Sequence, residues 1–147
     1  MDLDHAALAD YYYWKNFAKA SFMPNLALKQ IFAQLSLRTP WPVRFIPRGI
    51  QYAFNQGYSS PMLRQQIQSF HQHLTATTWV TGSQFTTADI LLWFPLQACT
   101  HLATCYVDYP ATNRYLQQIQ DRPAFQRAIS KGDWSISIFK QCWSVAN

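Results

Sequence analysis

At 147 residues, with 49% hydrophobic, 16% aromatic and 13% charged positions, the chain has the size of one domain and a composition far from that of disordered sequences. Its net charge of +5 reflects a shortage of acids rather than basic runs, and no finger spacing or RNA-binding aromatic pattern accompanies it, so nucleic acid is excluded as a partner class. No apolar run approaches the roughly 20 residues of a membrane span, and no charged-then-apolar leader opens the chain, so no membrane association is expected.

The charged fraction is well below the roughly 25% usual for soluble domains. This deficit predicts more buried surface than a single small domain needs, supplied by a partner domain or a second copy. Cys99, Cys105 and Cys142 form neither a CxxC pair nor an even disulfide framework. They read as reduced thiols of a cytoplasmic protein.

In chain order, Asp4 and the alanines that follow open a helix. Tyr11, Tyr12, Tyr13 and Trp14 place aromatics on every face of more than one turn, so one face must meet something besides its own core. Pro24 interrupts the pattern, yet Leu26, Leu28, Ile31, Phe32 and Leu35 resume it, which predicts one long helix kinked near Pro24. Residues 36–42 read as a connector, and a further helical segment over 42–55 is weakened by Pro47 and Gly49. Gly57 and Tyr58 are the expected next turn. Ser60 and Pro61 have the N-cap and first-position arrangement for a helix carrying Leu63, Ile67, Phe70 and Leu74 on one stripe.

A loop with Trp79 and Gly82 leads into residues 84–96, QFTTADILLWFPL, the hub of the chain. Thr86 and Asp89 have the spacing of a capping box, and Phe85 and Ile90 that of a hydrophobic staple. The apolar residues after Asp89 cover nearly every side, which predicts a central helix buried all round and running to about Thr104. Asp108, Tyr109 and Pro110 start the next helix; Asp121, with Pro123 behind it, caps the last, which Lys131 and Gly132 close. The remainder, 133–147, carries Trp134, Phe139 and Trp143 and is a separate segment, either a short strand or a packed aromatic tail. The fold class is all-α, a bundle of five to seven helices over residues 1–132.

Candidate chemistry is sparse. His101 and Cys105 share a helix face but have no third ligand at a recognisable spacing, so no metal site is expected. His71 and His73 read as solvated helix histidines. No nucleophile–base arrangement and no glycine-rich phosphate loop is present, so no catalytic and no cofactor-binding residue is assigned. The face of Tyr11, Tyr12, Tyr13, Trp14 and Phe17 is the informative one. It serves as core and interface, or as an apolar small-molecule pocket with phenols as polar handles.

Three separated motifs carry a resemblance. The hub, the downstream YPATNRYLQQIQDRPAFQRAISKG and the early YYYWKNFAKASFMPNLALKQIF together resemble the C-terminal helical domain of bacterial glutathione S-transferases. Thr86 and Asp89 match the family's hub, Arg122 through Gly132 its closing helix, and Trp14, Ala18, Ser21, Met23 and Pro24 its early helix. Lys19 stands where an acid is usual and Ala20 where glycine is usual. The likeness spans about residues 8–132.

The resemblance implies a thioredoxin-like domain that precedes this one, holds glutathione and activates its thiol; none of that domain is expected within these 147 residues. It also implies that Tyr11, Trp14, Lys15 and Ser21 belong to the helix lining the hydrophobic co-substrate pocket and cleft. The expected function is thus the helical domain of a glutathione transferase, inactive in conjugation alone, with glutathione as co-substrate only when the other domain is supplied. The expected partner is a thioredoxin-like domain or a second copy. The alternatives are a non-catalytic protein-interaction module of the same fold and a binder of apolar small molecules.

Overall fold

The computed structural model describes residues 5–101, 109–132 and 134–144. Helices α1 (His5–Asn16) and α2 (Met23–Arg38) are joined without a break by a π-helical turn over Phe17–Phe22. A 3-10 turn, Trp41–Val43, leads to α3 (Phe45–Phe54), and a second π turn, Asn55–Ser59, carries it into α4 (Ser60–Ala76). Then come α5 (Thr87–Cys99), α6 (Pro110–Gln120), α7 (Pro123–Lys131) and α8 (Ile136–Ser144). Counting segments joined by π turns as one, six helical rods and no β-strand are found among the described residues. The all-α expectation holds at that level.

Both π turns immediately precede a proline, Pro24 in α2 and Pro61 in α4. Proline has no N–H to donate, and its ring crowds the carbonyl four residues back. Widening the preceding turn relieves that crowding while the chain stays helical. Thus Pro24 does not divide the first helix in two.

The same effect corrects the expectation for Gly57–Ser60. No turn and no N-cap form there; Ser59 and Ser60 both have α-helical dihedrals and make no side-chain cap. The connector after α2 is also shorter than expected. Ser36 lies within the helix, buried, with its hydroxyl donating to Gln51 Oε1 at 2.6 Å.

Helix α5 is the hub, in contact with α1, the first π turn, α6 and α8. Its inner residues Ala88, Leu92, Leu96, Ala98 and Cys99 join Leu26, Leu63, Phe70, Leu74, Tyr115 and Ile119 in one core. Burial is not all-round, however: Ile90 is 57% exposed, and Leu91, Trp93 and Phe94 are only partly covered. Pro95 lies inside α5 without ending it. The loop before α5 folds tightly, with Trp79 and Gly82 exchanging backbone hydrogen bonds at 2.9 Å each. Gly82 has φ +99°, where a side chain would be strained.

Two further boundaries differ from expectation. Arg122, not Asp121, is the N-cap residue of α7, while Asp121 closes α6 and accepts a bond from Gln117 Nε2 at 2.8 Å. Among its described residues the tail contains no strand: α8 packs Phe139 and Trp143 into the core, four residues apart as a helix requires. The hub helix is shorter than expected: α5 ends at Cys99 with Thr100 as its C-cap, not near Thr104. The expected cap at Asp4, Cys105 and Asp108 lie outside the described residues.

Candidate functional site

The aromatic face of the first helix divides into an inner and an outer half. Trp14 turns inward and is 4% exposed, its ring 5.3 Å from Phe70 and 4.8 Å from His73, centroid to centroid. Tyr12 and Tyr13 turn outward, at 54% and 58% exposed. Tyr13 stacks on Phe17 at 6.2 Å, and Lys15 Nζ stands 5.3 Å over the half-buried Tyr11 ring. The outer half forms a shallow recess of about 350 Å³, lined by Tyr12, Tyr13, Asn16, Phe17, Ala20 and Ser21.

Of the residues singled out from the sequence, the recess therefore collects Tyr12, Tyr13, Phe17 and Ser21; Tyr11 and Lys15 pair beside each other, and Trp14 belongs to the core. Aromatic faces, two phenols and a hydroxyl can hold an apolar molecule and orient its polar end. The lining contains no histidine, cysteine or carboxylate.

A buried polar node lies at the start of α5. Asp89, 0% exposed, accepts the Thr86 N–H at 2.7 Å, the Val80 N–H at 3.1 Å and the Tyr115 phenol at 2.9 Å. The Thr86–Asp89 capping box forms as expected. The node thus ties the loop before α5, the start of α5 and the middle of α6 together. Burial first, and the adjacent Asp89 carboxylate second, raise the Tyr115 phenol well above its ordinary value of 10.0.

The pH consequence follows from the direction of that shift. Below the unfolded tyrosine value near 10 both states keep the proton, so the contribution of Tyr115 to stability is complete. As pH rises further, the unfolded chain releases a proton that the folded chain retains, and stability falls. Urea denaturation at stepped pH should show this alkaline loss in the native chain. Tyr115→Phe should be about 1–2 kcal/mol less stable at pH 8 and should show a shallower decline above pH 10. An unchanged alkaline slope would remove Tyr115 from the node.

The histidines are not solvated as expected. His73 Nε2 donates to the Val80 carbonyl at 2.9 Å, and His71 packs on Tyr109 at 5.1 Å. His101 rests against Phe139 at 5.7 Å, its pKa lowered by partial burial and then by Lys140. No group of three metal-ligating side chains occurs among the described residues, and no helix there is long and apolar enough to cross a membrane.

Two features escaped the sequence reading. One is an exposed apolar surface on α2, α3 and the turn between them, including Ile31 (59%), Trp41 (84%), Phe45 (71%) and Tyr52 (68%). The low charge content was its signal. The other is a pocket between α5, α6 and α7 beside Arg122, a juxtaposition that no local spacing reveals.

The chain is similar to a glutathione S-transferase. The relative is glutathione S-transferase 3 of Schizosaccharomyces pombe, 28% identical over 128 residues. The match covers 87% of this chain and 53% of that protein, so the chain spans about half the length of the relative it matches. No family model matches the chain, and no solved structure matches it. This is a distant and partial likeness to a transferase, in a chain whose described residues are all helical. That architecture is consistent with the helical C-terminal domain of such enzymes.

Proposed function

We propose that the chain is the helical part of a glutathione transferase, supplying the surface that receives the hydrophobic co-substrate, with glutathione held by a thioredoxin-like domain. The observation that carries this reading is the likeness to a transferase over 87% of a chain that spans only 53% of the relative. The recess of Tyr12, Tyr13, Phe17 and Ser21 is the candidate co-substrate surface. Its role is to position an apolar electrophile, its rings against Tyr13 and Phe17.

Conjugation requires the glutathione thiol to be ionised beside the electrophile. Activation and positioning must therefore act together. A surface that only positions raises neither the thiolate fraction nor the effective concentration of the thiol. The purified chain is thus expected to leave the rate between glutathione and 1-chloro-2,4-dinitrobenzene at its uncatalysed value. Joined to a thioredoxin-like domain of a glutathione transferase, it should give turnover that Tyr13→Ala lowers mainly through KM. Turnover by the chain alone would refute the division of labour; a folded but inactive fusion would refute the transferase reading.

The exposed apolar residues of α2 and α3 support a second reading, a protein-interaction module of the same fold. Those side chains are more than a soluble surface needs. Sedimentation of dilute protein addresses this: a monomer at all concentrations, with Phe45→Ser no more soluble than the native chain, counts against it.

A further inference from the structure

The pocket between α5, α6 and α7 lies apart from the first-helix recess and shares no lining residue with it. Phe85, Ile90, Trp93, Ile119 and Phe125 give it an apolar wall, and Arg122 stands at its side. Its volume is about 220 Å³, short of the roughly 300–1,000 Å³ of sites for drug-sized ligands. The occupant must be small.

Its walls favour an aromatic ring. Trp93 and Phe125 already meet edge to face at 4.9 Å, leaving ring faces and edges to continue the same packing around a guest.

Arg122 determines the polar end. Its guanidinium is stacked 3.8 Å over the Phe85 centroid and stands 5.7 Å from that of Trp79. Stacking occupies the face of the group and leaves its in-plane N–H donors unused. Among the described residues the guanidinium makes no hydrogen bond and no ion pair; the neighbouring acid, Asp121, is engaged by Gln117. A stacked, partly dehydrated guanidinium with free donors is matched by a carboxylate, which can accept two parallel N–H bonds.

We propose that this pocket binds a small aromatic carboxylate, its ring against Trp93 and Phe125 and its acid group on the Arg122 guanidinium.

The probe is phenylacetate, with phenylacetamide as the neutral control of the same shape. The protein is uniformly 15N-labelled, and the Trp93 indole N–H resonance, assigned with Trp93→Phe, reports on the pocket wall. Phenylacetate is expected to move that resonance saturably with a Kd in the roughly sub-millimolar range, a reasonable affinity for about ten heavy atoms. Phenylacetamide should bind about tenfold more weakly, and Arg122→Gln should bring phenylacetate down to the amide's level.

Arg122 also pins the loop before α5, so a variant outside that clamp is needed. Ile90 is 57% exposed at the pocket rim, and an acid near the start of α5 suits the helix dipole. Ile90→Glu should therefore fold normally and, by setting a like charge at the rim, weaken phenylacetate by a larger factor than phenylacetamide. Equal affinity for acid and amide, native affinity in Arg122→Gln, or a Trp93 resonance that does not respond would each overturn the proposal.

Discussion

Asp89→Ala is expected to leave the chain largely insoluble or, where soluble, melting at least about 10 °C below the native chain. The reason is the number of donors that one side chain serves. The Thr86 N–H, the Val80 N–H and the Tyr115 phenol all end on its two oxygens, in a place with no access to water. Truncation leaves all three buried donors without partners, at about 1–3 kcal/mol each, and removes the cap of the hub helix. Against a total stability of about 5–15 kcal/mol, a loss of roughly 3–5 kcal/mol decides whether the domain exists. Asp89→Asn keeps the shape but turns one acceptor into a donor facing other donors, so it should recover only part of the loss. Thermal melts of the three proteins test this, and an alanine variant within about 2 °C of the native chain would contradict the role given to the node.

Trp14→Ala is expected to cost about 3–5 kcal/mol, whereas Tyr13→Ala, its neighbour, costs under about 1 kcal/mol. Trp14 fills the space between the first helix and α4, with Phe70, His73 and Phe17 all within 5.3 Å of its ring centroid. Tyr13 is 58% exposed and loses little on truncation. Urea titrations of both variants give the comparison, and equal midpoints would contradict the inward and outward division of this helix. The contrast also determines how ligand binding at the recess must be probed. A change seen in Trp14→Ala reports a damaged core, while one seen in Tyr13→Ala reports the surface itself.

Where the fold was legible in the sequence, a local physical rule had no competitor. The Thr86–Asp89 spacing specifies a cap that involves only neighbouring residues, and it forms. The stripe of Leu63, Ile67, Phe70 and Leu74 follows from helical period alone, and all four are buried. Pro110 and Pro123 each open a helix, as a residue without an N–H can.

Failures arose where two local rules gave different answers or where the deciding contact is distant in sequence. Ser60–Pro61 reads as a cap, but the segment before it stays helical and needs none. Ile136 and Ile138 alternate like a strand, yet Phe139 and Trp143 carry the period that packs. The histidines of α4 look solvated from their glutamine neighbours, but His73 meets a carbonyl of the following loop. Arg122 and Phe85 are far apart in the chain, and their stacking exists only once α5 and α7 are side by side. The candidate site shares this difficulty. The aromatic run announces a surface, but which of its rings face outward depends on where the core lies.

The wide turn before Pro24 has a consequence for angular phase. Trp14, Ala18, Phe22 and Leu26 are buried at steps of four residues. At about 100° per residue, each such step overshoots a full revolution by roughly 40°, so three steps would swing the last side chain about 120° away from the first. One additional residue accommodated in the π turn takes back close to 100° of that swing. The irregularity therefore acts as a vernier that keeps four inward positions in line over a length where a uniform helix would have spiralled them out of alignment.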